Sequence, residues 1–292
     1  MILKDPWESL KTTSLIQIES QLFAKLETEN PTGSIKDRPI QYIVKNALAR
    51  GDISSGTTLV EASSGNTGIS LCAIGASLGL QVKIIMPSNM SQERKDMMTQ
   101  FGAQVIDAPP GDFKGAIQMR NDMVFWEQDH WSPMQFENPL NIECHSITTA
   151  KEIYEQVPST TKIDAFFSGA GTGGTIMGFR HRATLENQPT KCMLVVPDET
   201  QELHGIQGIG DGGDYLVSRE LLDGVFRIKT QDAIKTAESF ARSHGLLIGI
   251  SAGANLAAAR SYIKNKKPEG IVVTILCDRG ERYFSVFNGR KK

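Results

Sequence analysis

Short apolar, β-branched runs alternate with longer segments of helical period along this chain, and this alternation restricts the fold more than any other feature. The runs occupy residues 58–63, 82–87, 104–109, 164–169, 192–197 and 271–277. The helical segments occupy residues 66–80, 91–102, 112–127, 147–156 and 173–186. Strand, turn and helix in this order predict parallel sheets with helices on both faces. Strands that are almost wholly apolar are typical of sheets covered on both sides.

The rhythm breaks at residues 128–146, which carry two prolines and two asparagines with little periodicity. This stretch keeps Trp131, Met134 and Phe136, so we interpret it as a crossover between two α/β lobes and not as a flexible linker. A chain of 292 residues is long enough for one large unit or for two such lobes. Ligands of open α/β sheets bind beyond the carboxyl ends of strands, so the loops after residues 58–63 and 164–169 are the predicted binding region.

Composition excludes several classes of protein. The chain has 31 Lys and Arg residues against 33 Asp and Glu residues, a net charge of −2, which disfavours a nucleic-acid partner. The four cysteines have no CxxC or zinc spacing, and most lie in apolar runs, which indicates buried thiols in a reducing compartment. No signal peptide and no apolar run of ~18 residues is visible, so we expect a cytoplasmic protein with no membrane partner.

Glycines, which number 27, are concentrated in two turns that each follow an apolar run and open a helical segment. These turns are SSGNTG at residues 63–68 and SGAGTGGT at residues 168–175. Such a turn presents backbone N–H groups and the positive end of the helix dipole to one point, which suits an anionic group. One such turn is commonly only a helix cap, but two of them favour anion binding. Neither turn matches the dinucleotide or P-loop patterns, so those ligands are not expected.

A lysine, Lys36, lies in PTGSIKDRP at residues 31–39, between a turn and the start of a helical segment. The helix dipole disfavours the ammonium form there, and a neutral amine is what a Schiff base requires. PTGSIKDRP, SSGNTG, SGAGTGGT and GISAGA at residues 249–254 resemble, in order and spacing, the fold-type II pyridoxal-phosphate enzymes, the tryptophan synthase β-like group. Within that group the chain resembles the cysteine synthases, or O-acetylserine sulfhydrylases, over nearly its whole length.

The resemblance implies a role for each matching residue. Lys36 would form the Schiff base with the aldehyde of pyridoxal 5'-phosphate and later act as acid and base at the substrate Cα. The other cofactor-binding residues would be Asn66 at the ring oxygen, Ser251 at the pyridine nitrogen, and Gly171, Thr172, Gly173, Gly174 and Thr175 around the phosphate. The substrate α-carboxylate would be held by Ser63, Ser64, Gly65, Asn66, Thr67 and Gln135. We expect no metal site.

The same resemblance implies an α/β fold of two lobes, each with a central, mostly parallel sheet flanked by helices. Residues 37–140 would form a smaller, mobile lobe. Residues 1–36 with residues 141–292 would form a larger lobe that holds the cofactor phosphate. The resemblance also implies a homodimer.

A hydroxyl at the pyridine nitrogen, unlike a carboxylate, does not hold that nitrogen protonated, which favours loss of a β-substituent over racemisation or transamination. The implied reaction is β-replacement: O-acetylserine or another O-activated serine loses its leaving group, an aminoacrylate forms, and sulfide or thiosulfate adds to give L-cysteine. A compact cystathionine β-synthase and a serine/threonine dehydratase are alternatives of the same fold. Asp37, directly after Lys36, disfavours the dehydratase, and a non-catalytic binding protein would not need Lys36, Asn66 and Ser251 together.

The subtype depends on signals that disagree. Residues 89–98 and 275–285 resemble the B-type cysteine synthases, whose members can accept thiosulfate, whereas residues 204–212 resemble the A-type. Residues 205–210 read GIQGIG and offer no arginine to an anionic sulfur donor, so the donor stays open while the longer tail match favours the B-type. His145 either faces the substrate or is an ordinary loop histidine. Asp278 either lies near the cofactor ring or pairs with Arg279 or Arg282.

Overall fold

The computed structural model describes residues 7, 11–63, 65–200, 205–210, 213 and 215–287. The strands there are β1 (Leu15–Glu19), β2 (Leu22–Leu26), β3 (Thr58–Ala62), β4 (Gln81–Pro87), β5 (Gln104–Ala108), β6 (His130–Trp131), β7 (Ile163–Gly169), β8 (Lys191–Pro197), β9 (Gly224–Ile228) and β10 (Ile271–Leu276). The α-helices are α1 (Asp37–Arg50), α2 (Asn66–Leu78), α3 (Gln92–Gln100), α4 (Phe113–Trp126), α5 (Leu140–His145), α6 (Lys151–Gln156), α7 (Gly174–Leu185), α8 (Thr230–His244), α9 (Ile250–Lys266) and α10 (Phe284–Phe287). A π-helical turn, Ser146–Ala150, joins α5 to α6.

The chain divides into two compact units. The first contains Met1–Lys11 and Asn30–Leu140, and the second contains Thr12–Glu29 and Asn141–Lys292. The resemblance implies that residues 1–36 belong to the larger lobe, whereas Met1–Lys11 and residues 30–36 group with the first unit and only Thr12–Glu29 group with the second. The physical reason is the carboxylate of Asp37, which accepts hydrogen bonds from Thr32 and from Ser70 and so ties this turn to α1 and α2. The mobility of the smaller lobe stays a prediction.

The first unit is built on a parallel sheet in the order β5-β4-β3-β6. Every residue of β3 is buried because apolar side chains cover both faces of this strand. Leu59 belongs to a core cluster with Val44 of α1 and Ile69 of α2, while Val60 belongs to a cluster with Ala116 of α4. Successive residues of β3 thus pack into apolar clusters on opposite faces of the sheet, which explains why the strand is mostly apolar. The carboxyl end of β3 leads directly into residues 63–68.

The second unit is built on a sheet in the order β1-β2-β10-β7-β8-β9, in which the pair β1 and β2 is antiparallel and the other neighbours are parallel. All six residues of β10 are buried. Helix α9 is rich in alanine and is buried over most of its length, since small side chains let it pack closely against its neighbours. Strand β7 lies between β10 and β8, and its carboxyl end leads into residues 170–175.

These sheets confirm the predicted fold class of mostly parallel sheets flanked by helices. The six predicted strands and the five helical segments all appear, with ends that differ by a few residues. The crossover at residues 128–146 is shorter than expected, because β6 pairs with β3 at His130 and Trp131 and α5 already begins at Leu140. Among the described residues, no helix is long and apolar enough to cross a membrane.

Candidate active site

Lys36 lies immediately before α1, as its sequence context predicts. It is the N-cap residue of that helix, and its carbonyl oxygen accepts a hydrogen bond from the N–H of Ile40 at 3.2 Å. Its own N–H donates to Ser34 Oγ at 3.3 Å, and the residue is half-buried. The backbone of Lys36 is therefore held at the positive end of the α1 dipole.

The neighbouring residue, Asp37, fixes the turn that carries Lys36. Its buried carboxylate accepts from the N–H of Thr32 at 2.7 Å and from the hydroxyls of Thr32 and Ser70 at 2.5 Å each. Ser70 belongs to α2, so one carboxylate connects the lysine turn to the helix that follows the loop of residues 63–68. Sequence reasoning treated Asp37 only as a marker of reaction type. One signal in the sequence could have indicated this structural role: Asp37 is an acidic residue in the first turn of a helix, where the dipole favours negative charge.

The loop of residues 63–68 is organised by Ser63. Its Oγ accepts hydrogen bonds from the N–H of Gly65 at 3.1 Å and of Gly68 at 2.9 Å. Gly65 leaves room for a buried arginine, since a Cβ atom there would lie 2.7 Å from Cδ and Nε of Arg94. Asn66 is the first residue of α2, and its carbonyl accepts from Ser70 Oγ at 3.0 Å. Ser64, a predicted substrate-binding residue, lies outside the described residues.

Thr67 and Gln135, both predicted to bind the substrate carboxylate, contact each other. Thr67 Oγ1 donates to Gln135 Oε1 at 2.5 Å, and Gln135 Nε2 donates to the carbonyl of Ala62 at 3.1 Å. The two residues are 3% and 5% exposed. Although they are 68 positions apart in the chain, they form one polar group at the carboxyl end of β3.

In the second unit, three glycines of the turn at residues 171–175 have no space for a side chain. A Cβ atom on Gly171 would lie 2.6 Å from the carbonyl oxygen of Gly208, and one on Gly174 would overlap Oδ1 of Asn141. Gly173 has a φ of 96°, a backbone conformation that favours glycine, and a Cβ there would lie 2.6 Å from Val217 Cγ2. We call residues 171–175 the cup, because neighbouring chain segments enclose its backbone.

The start of α7 offers unsatisfied donors at the cup. Met177 N–H donates to the carbonyl of Gly173, and Gly174 N–H donates to Thr172 Oγ1 at 3.3 Å. The N–H groups of Thr175 and Ile176 have no acceptor among the described residues, as expected for the first turn of a helix. Such N–H groups, together with the helix dipole, form a site for a phosphate group.

Two side chains of α5 support the cup, and the sequence did not identify them as supports. Asn141 Nδ2 donates to Thr172 Oγ1 at 3.0 Å. The buried ring of His145 lies between two threonines: Nδ1 is 3.0 Å from Thr149 Oγ1 and Nε2 is 3.4 Å from Thr175 Oγ1. His145 therefore is not a loop histidine, because it lies in α5, and its contact with Thr175 places it beside the cup.

Ser251 is the second residue of α9 and is 5% exposed. The preceding Gly249 lets the chain approach the end of β10, because a Cβ on it would overlap Oδ1 of Asp278. Asp278 is itself fully buried, and its Oδ2 accepts from the hydroxyl of Tyr283 at 2.5 Å. The tyrosine, which the sequence analysis did not consider, is therefore a partner of this aspartate.

Residues 205–210, which bear on the subtype, pack onto the end of β7. Ile206 and Ile209 are buried, and the N–H of Gly210 donates to the carbonyl of Ala170 at 2.9 Å. A Cβ on Gly169 would overlap the side chain of Ile209. Residues 205–210 thus support the backbone that leads into the cup.

Each unit, taken by itself, carries groups of a kind that a part of pyridoxal phosphate requires. The cup supplies backbone N–H groups and threonine hydroxyls, which match a phosphate monoester. Ser251, 5% exposed, supplies a hydroxyl that can hydrogen-bond a ring nitrogen. The first unit supplies the amine of Lys36 for the aldehyde. The residues present therefore fit this cofactor.

Comparison with known proteins gives a consistent result. A family model described as "Pyridoxal-phosphate dependent enzyme" matches residues 6–278. A curated relative, cysteine synthase B of Campylobacter jejuni, is 39% identical over 291 residues, which cover 95% of this chain and 96% of that protein. The solved structure of cysteine synthase from Entamoeba histolytica is 34% identical, covers 100% of this chain and 92% of that one, and has a TM-score of 0.89. The O-acetylserine-dependent cystathionine β-synthase from Helicobacter pylori is 31% identical, with coverage of 98% of both chains and a TM-score of 0.90.

Proposed function

The chain belongs to the family of pyridoxal-phosphate-dependent enzymes, and we propose that it is a cysteine synthase that replaces the β-substituent of an O-activated serine by a sulfur nucleophile. O-acetylserine is the substrate that the names of similar proteins support best. The observation that carries the proposal is the position of Lys36 at the start of α1, in a chain that matches this family over residues 6–278. A lysine held there can provide the neutral amine that the chemistry requires.

Bound pyridoxal phosphate supplies an electron sink for negative charge at the substrate Cα. Lys36 removes the proton from Cα and returns it at the end of the reaction. Thr67, Gln135 and the N–H groups of residues 63–68 orient the α-carboxylate, so that the leaving group and the Cα proton are presented in a single geometry. The cup holds the phosphate, and Asn66 holds the ring oxygen.

Ser251 determines which reaction follows. Its hydroxyl satisfies the pyridine nitrogen without holding it protonated, which weakens the electron sink. Negative charge at Cα is then short-lived, and departure of the β-substituent is favoured over racemisation or transamination. The same serine therefore supports β-replacement.

We propose a B-type enzyme, supported by its 39% identity to cysteine synthase B of C. jejuni. Residues 205–210 carry no arginine, and Ile206 and Ile209 of this loop are buried. A cationic group for thiosulfate is therefore missing from this segment, and sulfide is the preferred donor. The similarity to an O-acetylserine-dependent cystathionine β-synthase makes homocysteine the alternative sulfur donor that must be tested.

We also propose a homodimer in the cytoplasm, on the resemblance to the cysteine synthases. All four cysteines are free thiols, which agrees with a reducing compartment. Burial raises the pKa of Cys72 and of Cys192 to about 12. Such thiols stay protonated and unreactive at neutral pH. Light scattering on the purified protein measures the oligomeric state.

Two experiments test the proposed function. Borohydride reduction of the holoenzyme followed by peptide mass mapping should place the pyridoxyl group on Lys36, and a label on another lysine would contradict the assignment. Lys36→Ala should lower kcat by at least about 10³-fold, because both acid–base steps at Cα depend on this amine, while the exposed Lys45→Ala on the same helix should stay near wild type.

A panel of substrates separates the remaining alternatives. O-acetylserine, O-phosphoserine and serine are each combined with sulfide, thiosulfate or homocysteine, and cysteine and cystathionine are measured. Cysteine from O-acetylserine and sulfide as the fastest product supports the proposal. Faster cystathionine formation would identify a cystathionine β-synthase, and rapid keto-acid release from serine or threonine would identify a dehydratase.

A further inference from the structure

A charged side chain lies inside the apolar strand that leads to the substrate loop. Glu61 of β3 has no exposed surface, and both of its carboxylate oxygens accept hydrogen bonds. Oε1 accepts from Arg120 Nη1 at 3.1 Å and from the N–H of Ala62 at 2.8 Å. Oε2 accepts from the N–H of Gln135 at 3.1 Å. The carboxylate therefore fixes the backbone of Gln135.

Its partner, Arg120, is also fully buried and projects from α4. Besides Glu61 it contacts Ser132 Oγ at 3.4 Å and Glu137 Oε1 at 3.3 Å. Glu137 is exposed, with 62% of its side chain accessible, so the buried pair has one solvated acidic neighbour. Arg120 thus joins β3 to both ends of the segment that contains Gln135.

The hydrogen bonds continue from this pair to the substrate loop. Gln135, held through its N–H by Glu61, accepts from Thr67 Oγ1 and donates to the carbonyl of Ala62. Arg120 thus contacts Glu61, Glu61 contacts Gln135, and Gln135 contacts Thr67. The last two are the side chains assigned above to the α-carboxylate of the substrate.

We propose that Arg120 and Glu61 are positioning residues that place Gln135 and Thr67 for the α-carboxylate of the amino-acid substrate. Taking two charges out of water is costly, and a well-packed apolar pair at the same place is often at least as stable. A buried ion pair offers something that an apolar pair does not, namely a carboxylate oxygen that fixes one backbone N–H in direction and distance. This inference rests on the proposed function, since it assigns a role within the same site.

Steady-state kinetics of Arg120→Met measure this role. In a double-displacement reaction the two values of kcat/KM report the two half-reactions separately. Loss of one charge-assisted contact should lower kcat/KM for O-acetylserine by about tenfold. The kcat/KM for sulfide should stay within about twofold, because the sulfur donor adds after the α-carboxylate is already bound.

Lys25→Met is the matched control. Lys25 is a fully buried cation of the second unit that pairs with Glu152 at 2.8 Å and donates to Thr13 and Gln156. None of these partners belongs to the predicted site. Its loss should lower the unfolding free energy without a selective change in kcat/KM for O-acetylserine. An equal fall of both kcat/KM values in Arg120→Met, as in a generally destabilised protein, would overturn the inference.

Hydrogen exchange gives a readout that does not depend on activity or on bound cofactor. In Arg120→Met, the backbone N–H groups of peptides covering residues 63–68 and 132–137 should exchange at least about tenfold faster. Peptides of β10 should be unchanged. Arg120→Lys keeps the positive charge and should recover part of this protection from exchange. It also provides the test if Arg120→Met folds poorly. Unchanged exchange in residues 63–68 contradicts the inference.

The two proposals fail differently. If wild-type protein makes no cysteine from any O-activated serine of the panel, the proposed function is wrong whatever the variants show. If wild type is active and Arg120→Met retains its full kcat/KM for O-acetylserine, the function stands and the positioning role is wrong.

Discussion

The two glycine turns have similar sequences, but they are held in different ways. The cup at residues 171–175 is enclosed by backbone and short side chains, so that its glycines have no space for a Cβ atom. In the loop at residues 63–68, a Cβ on Gly65 or Gly68 would also meet neighbouring atoms, but these belong to the long side chains of Arg94 and Met98. The loop is held in addition by side-chain hydrogen bonds, with Ser63 at its start and Thr67 bound to Gln135. Steric enclosure suits a group that stays bound, whereas side-chain hydrogen bonds can be exchanged when a substrate arrives. The difference agrees with the proposal that the cup binds the cofactor and the loop binds the substrate.

Among changes that test the contrast between the two turns, the largest expected effect is at Gly174, where a side chain would break the enclosure of the cup. A Cβ would overlap Oδ1 of Asn141, so Gly174→Ala must displace Asn141 from Thr172 or open the turn. We expect the affinity for pyridoxal phosphate to fall by at least about tenfold, measured by absorbance titration of the apoenzyme.

Two variants make that result specific. Gly56→Ala is the control, since Gly56 has nothing within 4 Å of an added Cβ. Asn141→Ala in the Gly174→Ala background removes the overlapping atom and should restore part of the affinity. Gly174→Ala protein that binds the cofactor as tightly as wild type would show that the cup is not sterically enclosed.

A smaller effect is expected at Ser63, where the loop depends on a hydroxyl. Ser63→Ala leaves the N–H groups of Gly65 and Gly68 without their acceptor. The unfolding free energy should fall by about 1–3 kcal/mol, and kcat/KM for O-acetylserine should fall while cofactor affinity is retained. Urea unfolding and a cofactor titration measure the two quantities.

Ser243→Ala is the control for that change, because Ser243 is an exposed residue of α8 whose hydroxyl bonds the carbonyl of Ser239. Its unfolding free energy should stay close to that of wild type. If Ser63→Ala instead lost its cofactor and kept its substrate kinetics, the contrast between loop and cup would be wrong.

The smallest expected effect is the pH dependence of the unfolding free energy that Glu61 of β3 contributes. Burial raises the pKa of this carboxyl above its ordinary value of 4.5, and the contact with Arg120 opposes the rise. Between the ordinary and the raised pKa the folded protein binds more protons than the unfolded chain, so wild type loses stability as the pH rises through this window. Relative to Glu61→Gln, its unfolding free energy should fall with a slope below about 1.4 kcal/mol per pH unit.

Urea unfolding of both proteins from acidic to neutral pH measures that slope. Other titrating groups are common to the two proteins, so the difference isolates Glu61. A difference that grows with pH would mean that the contact with Arg120 outweighs burial.

Much of the fold follows from local pattern. The apolar runs and helical segments predicted parallel sheets, because strands covered on both faces must be apolar throughout. Lys36 and the two glycine turns were also identifiable, since each combines a recognisable residue type with a strand or helix end. The antiparallel pair β1 and β2 was missed, because residues 15–26 show no comparable apolar run followed by a helix.

The supports of the candidate site depend on pairings that are distant in the chain. Glu61 lies inside an apolar strand and requires a buried cation as its partner. No local pattern shows which of the 31 Lys and Arg residues this is, because Arg120 is 59 positions away. Thr67 and Gln135 are likewise joined across 68 positions.

Local sequence patterns therefore predicted which residues carry the chemistry and at which strand and helix ends they lie. Which side chains hold these residues in place became visible only in the three-dimensional packing. The physical reason is that periodicity and capping act over a few residues, whereas the partner of a buried charge or hydroxyl is chosen by the packing of the whole unit.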